Sequence, residues 1–412
     1  MSDIKELIER LCPDGVEYKR IDSLFETFSG MTGVSDKWKE TGNCRFIDYL
    51  NVYNNMRVDV KNLPYATVKN PQQNTLQKGD ILLTCASETP DECAMSSVIR
   101  DDINEGIFLD DHLFAIRLKG EHKDIVNTAF LNYYMHSSAF RIQVCKKVRG
   151  VTRFYITGKP FMSLEIPVPP IEVQRKIVEI LDNFTELEAE LEAELEARRK
   201  QYEYYRNQLL TFDDTRSDVK WYKLNEIANI YDGTHQTPDY KESGVKFASV
   251  ENIQNPFNTK KYISVEAYEK YKIKPQINDL LMTRIGSIGV CYVIDKNEAL
   301  AYYVSLALLR PNGDIINSRF LKYLLESSIG KRELNKRTLI NAVPIKINKD
   351  DIGKVTIPIP PLEEQKRIVA ILDRFEALTT DLQSGLPAEI EARRKQYEYY
   401  REKLLTFKRK TA

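Results

Sequence analysis

No stretch of this 412-residue sequence stays apolar for the roughly 18–20 residues that a membrane-spanning helix needs. The opening run MSDIKELIERLCPDGVEY is charged and amphipathic and lacks the apolar middle of a secretory signal. Together these absences predict a cytoplasmic protein with no membrane partner. The six cysteines (Cys12, Cys44, Cys85, Cys93, Cys145, Cys291) contain no Cys-x-x-Cys pair and read as buried free thiols of a reducing compartment. The four histidines are scattered along the chain, so their spacing supports no zinc site. Charge of one sign is missing as well: 60 basic residues balance 60 acidic ones. That balance does not exclude nucleic acid, provided that positive charge gathers on one face.

What the sequence does contain is a repeat. ARRKQYEYYR occurs at 197–206 and again at 392–401. Upstream, IPVPPIEVQRKIVEILDNF (166–184) resembles IPIPPLEEQKRIVAILDRF (357–375), and downstream NQLLTF (207–212) resembles EKLLTF (402–407). The segments between correspond loosely: VEYKRIDSLF with VKWYKLNEIA, GDILLT with NDLLMT, FLNYYM with FLKYLL. The chain therefore divides into a globule (1–165), a helix (166–212), a second globule (213–356) and a second helix (357–412).

Proline at the start of each repeat suits a first helical turn, where its missing N–H costs nothing. Apolar residues then recur in steps of three and four at Ile177, Leu181, Phe184, Leu187, Leu191, Leu195, Tyr202, Tyr205 and Leu209. The second copy repeats the stripe from Ile368 through Leu382 to Leu404, with Gly385 and Pro387 as expected breaks. Such a stripe is the seam of a coiled coil. The globule between the copies must leave one rod and return to the other, which predicts an antiparallel pair. The tetrapeptide ELEA, repeated three times from Glu186, adds ~6 Å of helix per unit. Short Val/Ile/Tyr/Phe runs separated by turn residues mark both globules as strand-rich, each ending in one amphipathic helix (TAFLNYYMHSSAFRIQVC, SRFLKYLLESSIGKREL). The expected fold class is α+β: two strand-rich domains separated by two long paired helices, in a pseudo-twofold internal repeat.

Positive charge does gather. From Arg141 to Lys159 there are six basic residues and no acid; from Lys331 to Lys349 there are six against one, Glu333. Both clusters immediately precede the IPxPP element, at equivalent points of otherwise different globules. Basic side chains bind phosphates, while Arg, Asn and Gln can read base edges. The candidate DNA contacts are Lys146, Lys147, Arg149, Thr152, Arg153 and Tyr155 in the first cluster, and Arg332, Lys336, Arg337 and Asn341 in the second. Polar loops add Lys37 (FSGMTGVSDKWKETG), Arg57 (YNNMRVD), Thr234, His235 and Gln236 (DGTHQTPDYKESG), and Arg284 and Ser287 (TRIGSIG). Of these, TRIGSIG lacks the GxxxxGK[ST] pattern of a phosphate loop. QNPF (254–257) falls short of the Asp/Asn-Pro-Pro-Tyr/Phe element with which amino-methylating enzymes grip a flipped base. No carboxylate cluster resembles a nuclease centre. Catalytic, cofactor-binding and metal-binding residues are therefore not expected in this chain.

The duplicated IPxPP and ARRKQYEYYR motifs behind variable globules closely resemble the DNA-specificity subunits of type I restriction–modification systems. LIERLCPDGVEYKRI and GTHQTPDY are similar to the same family. The resemblance spans the whole chain, and the ELEA repeat is similar to a subgroup in which repeat number sets the gap in the DNA site. It implies a non-catalytic subunit whose two target recognition domains each read one half of a bipartite duplex site. Two methyltransferase subunits would dock on the paired helices, and restriction–translocase subunits would join them. S-adenosylmethionine, ATP and Mg would belong to those partners, and adenine would be the methylated base. Beside the resemblance, the identity of the rods extends past the seam to Arg199, Lys200, Glu203 and Arg206, repeated as Arg394, Lys395, Glu398 and Arg401. These positions lie off the seam and are expected to be exposed, and a surface repeated twice suits one partner bound twice. The alternative is a stand-alone regulator with two reading heads and no methyltransferase partner. The "SGLP" insertion (384–387) makes the two rods unequal.

Overall fold

Within 171–209 there is no glycine or proline, and nothing stops a helix that begins after Pro170. The computed structural model describes residues 2–39, 41–70, 72–103, 106–213, 216–380 and 385–411, and it shows α1 as one uninterrupted 39-residue helix, Ile171–Leu209. The second copy is broken where Gly385 and Pro387 predict it, into α2 (Leu362–Thr380) and α3 (Leu386–Leu404). Pro387 sits in the first turn of α3, where it is tolerated. The seam position Leu382 and the inserted Ser384 lie outside the described residues.

By its internal contacts the chain forms two units, Met1–Glu190 with Glu391–Ala412, and Leu191–Ile390. Each unit thus holds one globule and parts of both repeat copies. In the first unit, α1 packs against α3: Phe184 lies 6.4 Å from Tyr397 and 5.5 Å from Tyr400 between ring centroids. One turn on, Glu188 accepts from Arg394 Nε at 2.6 Å. Rising numbers in α1 meet falling numbers in α3, so the pair is antiparallel. In the second unit, Tyr205 of α1 lies 5.5 Å from Phe375 of α2, and Tyr202 shares a core with Ile368 and Leu372. Each ARRKQYEYYR segment therefore packs on the IPxPP helix of the other copy, never its own.

The two globules repeat one plan. In the first, β1 (Phe25–Ser29), β2 (Ile81–Thr84), β3 (Ser96–Val98) and β4 (Leu113–Leu118) form an antiparallel sheet in the order β1-β4-β2-β3. In the second, β5 (Ala228–Asp232), β6 (Leu280–Thr283), β7 (Cys291–Val293) and β8 (Leu306–Pro311) follow the order β5-β8-β6-β7. The registers match: Leu113 faces Thr84, and Leu306 faces Thr283. β2 and β6 are buried on both faces, which is why they read as continuous apolar runs rather than alternations. The aspartate before each is also buried and paired with an arginine of the neighbouring strand, Asp80 with Arg117 and Asp279 with Arg310, both at 2.7 Å.

The predicted single amphipathic helix of each globule is in fact two, Thr128–Met135 with Ser138–Cys145, and Ser318–Glu326 with Ser328–Asn335. The break is a serine cap. Ser137 and Ser327 accept from the backbone N–H of Phe140 and Gly330, offering the chain a new helix start in place of continuation. The thiols are all free; Cys44, Cys93 and Cys291 are buried as expected, whereas Cys12 and Cys85 are half-buried and Cys145, the last residue of its helix, is exposed.

A glutamine of the repeat fixes each globule to its long helix. Gln174 is buried; its Oε1 accepts from Asn127 N–H, and its Nε2 donates to the carbonyls of Ile125 and Pro169. Gln365 makes the same three bonds to Asn317, Ile315 and Pro360 at 2.8–2.9 Å. An aspartate one face further on adds a second tie. Burial would raise the Asp182 carboxyl, but hydrogen bonds from Arg100 and Tyr133 outweigh it and hold the group below the usual range. Its counterpart Asp373 accepts from Tyr323 and Arg319. Replacing Gln365 by leucine strands one buried N–H and two carbonyls, at about 1–3 kcal/mol for each such group without simple addition. We expect a loss of about 3 kcal/mol for the second unit, read as a melting midpoint lowered by roughly 6–12 °C.

Candidate nucleic-acid interface

A short hairpin precedes the IPxPP element in each unit. In the first, Arg149–Gly150 pairs with Phe154–Tyr155, which pairs in turn with Ala86–Ser87 beyond the end of β2. Gly150 closes it at φ 130°, with a Cβ there falling 2.0 Å from the Arg153 carbonyl oxygen, so only glycine fits. In the second, Leu339 and Lys346 bridge, and Lys346 bridges Ile285 beyond the end of β6. Equivalent bonds fasten both hairpins at their exit: Ile156 N–H to Cys85 carbonyl and Ile347 N–H to Arg284 carbonyl, each 3.0 Å. The sequence placed the two basic clusters at matching points, and the structure turns both into hairpins seated on the same strand end.

The two clusters differ in how free their charge is. Lys146, Lys147, Arg149 and Arg153 are exposed, as are Thr152 and Tyr155, and none of the four cations has an ion-pair partner among the described residues. In the second unit Glu333 neutralises part of the cluster, with Lys336 at 2.5 Å and Arg337 at 2.9 Å. Hydrogen bonds from these two outweigh the effect of burial and hold the Glu333 carboxyl below its usual range. Arg332 and Asn341 remain exposed, and Arg332 carries no ion pair among the described residues.

Other predicted contacts fall in different settings. Arg284 is a structural residue: it is buried, ion-paired with Asp232, and donates to the Ile347 carbonyl at 3.1 Å. Held by that acid and that carbonyl, it is not available to a duplex in this arrangement. Lys37 lies between two carboxylates, 3.2 Å from Asp110 and 2.5 Å from Asp111. With His112 these acids offer ligand atoms within 4.8 Å of one another, and the lysine already supplies the positive charge there. Arg57 is exposed but paired with Asp101. Ser287 and His235 are exposed.

Thr234 and Gln236 line a cleft of about 740 Å³ in the second unit, together with Lys241, Lys270, Lys272 and Lys349. The cleft thus joins the predicted loop to the end of the predicted cluster at Lys349. In the first unit a cleft of about 670 Å³ brings Thr152 and Arg153 beside Tyr49, Tyr53 and Glu92. Tyr49 and Tyr53 stack at 5.7 Å. Hydrogen bonds from Thr89, Tyr53 and Ser87 lower the Glu92 carboxyl and fix its orientation. Sequence reading points to neither Tyr49 nor Glu92, and to Tyr53 only as the first residue of the YNNMRVD loop. The i, i+4 tyrosines of YLNVY were the available signal.

On the long helices Arg199, Lys200 and Glu203 are exposed, as are Arg394, Lys395 and Glu398. Arg206 is not: it is buried over the Tyr202 ring at 5.1 Å, and Arg401 is half-buried over Tyr397 at 5.6 Å. An arginine can cover an aromatic face as part of the packing, and sequence identity alone did not separate that role from exposure. The exposed surface gains instead Tyr204 and Tyr399, 57% and 59% accessible, at equivalent points of the decapeptide.

Two globules of one plan, joined to near-identical helices and each carrying a cationic hairpin, define a class of protein. The chain belongs to the type I restriction modification DNA specificity domain family, whose profile matches residues 13–197 and 216–392. Among its relatives, a putative type I restriction enzyme specificity subunit of Haemophilus influenzae is 32% identical over 69% of this chain and 74% of its own length. A type I restriction enzyme specificity subunit of Escherichia coli is 32% identical over 62% of this chain and 66% of its own. A solved chain from a structure of type I restriction–modification complex assembly superposes with a TM-score of 0.63 at 20% identity, covering 95% of this chain and 97% of that one. A specificity subunit from M. genitalium gives 0.53 at 16% identity, covering 95% and 96%. No described helix is long and apolar enough to cross a membrane.

Proposed function

We propose that this chain chooses the DNA site at which a type I restriction–modification complex acts. Each unit reads one half of a gapped, asymmetric duplex site. The exposed decapeptide surfaces hold two methyltransferase subunits, and restriction–translocase subunits join them. S-adenosylmethionine, ATP and Mg are used by those partners, and adenine is the methylated base, one per half-site. The chain supplies position, not chemistry.

One observation carries this reading. The same exposed residues recur on both helices, whereas the hairpins and clefts of the two globules differ in nearly every side chain. One partner bound twice needs the first property; two different half-sites need the second. The test is to map modified adenines across the genome with and without the gene, then with Met1–Glu165 exchanged for another such domain. The gene should account for one bipartite motif, and the exchange should alter one half-site only. An unchanged motif after exchange, or methyl transfer by the isolated chain, would contradict the reading.

A further inference from the structure

Both hairpins end in apolar side chains that nothing in their own unit covers. Val151 stands 90% exposed at the three-residue tip of the first hairpin. In the second, Val343 is 100% exposed and Ile340 is 69% exposed. Soluble proteins scatter single apolar residues over their surfaces without consequence. Here the same exposure recurs at equivalent tips of two globules that share few other surface residues. At the first tip the apolar side chain stands between Arg149 and Arg153, both exposed and without ion-pair partners among the described residues. A partner protein with an apolar pocket would gain little from those flanking charges. A duplex would gain from both, since phosphates line the groove that base edges floor.

We infer that the hairpin tips are apolar base readers: Val151 in the first unit and Val343 in the second each contact a thymine C5-methyl group in the major groove. The inference rests on the reading above, that each unit addresses one half-site. The major groove, ~12 Å wide, admits a two-stranded β-ribbon, and the thymine methyl is the one apolar feature on its floor. Arg149 and Arg153 then lie where the phosphates flanking the contacted base pass, and fix how far the tip enters. Ile340 is a second exposed apolar side chain in the same turn, between Leu339 and Lys346. Valine is short and stiff at χ1, so it offers a methyl-sized contact with little entropy to lose on binding.

The test uses the complex of this chain with its methyltransferase partner and a duplex carrying the mapped site. Each thymine of the site is replaced in turn by deoxyuridine, which removes the C5-methyl and leaves base pairing intact. One thymine in each half-site should be sensitive, with affinity falling about four-fold for the lost methyl contact. Val151→Ala should weaken binding to the same extent and abolish the sensitivity in the first half-site alone, and Val343→Ala should do so in the second. Both side chains are exposed, so neither truncation touches the core, and Val151→Ile should keep the sensitivity. The inference is overturned if no thymine responds, if the response survives the alanine variants, or if those variants loosen the methyltransferase subunits while leaving base preference intact. Failure of the underlying reading looks different: the complex would then not prefer the mapped site to a scrambled duplex.

Discussion

Deleting one ELEA unit, Glu190–Ala193, is expected to move the two half-sites of the recognised DNA closer together and to leave their sequences unchanged. α1 runs unbroken from Ile171 to Leu209, and both units pack on it, the first through residues 171–190 and the second through 191–209. Four residues of helix are ~6 Å, which corresponds to about two base pairs at ~3.4 Å each. The contacts that seat the globules lie outside the deletion: Gln174 and Asp182 on one side, Tyr202 and Tyr205 on the other. Modified-base mapping would show methylation of the original motif lost and a motif with a shorter gap in its place. Retention of the original gap would mean that another part of the chain sets the spacing.

Removing the free charge of the first hairpin should have the next largest effect. With Lys146, Lys147, Arg149 and Arg153 all replaced by alanine, each lost phosphate contact removes about 0.9 from the slope of log affinity against log salt. The slope should flatten by about 3–4, and affinity near 0.15 M salt should fall roughly a hundred- to a thousand-fold. The loss should be similar for specific and random duplexes, because phosphates carry no sequence. Lys336→Ala is the contrast. Its ammonium already lies 2.5 Å from Glu333, so it has less charge to offer and should change the slope by well under one. Titrations of the assembled complex across salt check both. An unchanged slope in the quadruple variant would remove this hairpin from the interface.

Much of the architecture was legible because it is written locally. Helix periodicity, the PxPP starts, the Gly385–Pro387 break and the two basic runs are properties of neighbours along the chain. Exceptions were local too, but subtler: Ser137 and Ser327 split helices whose apolar pattern runs straight through them. Among the candidate contacts, the cations of 146–153 are exposed and have no ion-pair partner among the described residues. Arg284, Lys37, Lys336 and Arg337 instead have carboxylate partners, brought in by the fold or by a shared helix face that composition does not reveal. Arg206 was misplaced because an arginine looks the same in a sequence whether it meets solvent or covers a tyrosine.

The sequence by itself determined that there are two globules of one plan, two near-identical helical segments, and a break in only the second. It also predicted that the two copies pair antiparallel, which the contacts of α1 with α3 bear out; it did not determine which half of each copy meets which, because both present the same stripe of Leu, Ile, Phe and Tyr. The tertiary structure decided that. α1 has no residue that lets it fold back on itself, so its two halves take separate partners, Tyr397 and Tyr400 of α3 in the first unit and Phe375 of α2 in the second. The residue-by-residue register of that pairing rests on contacts some two hundred residues apart, such as Glu188 with Arg394, which no local pattern contains.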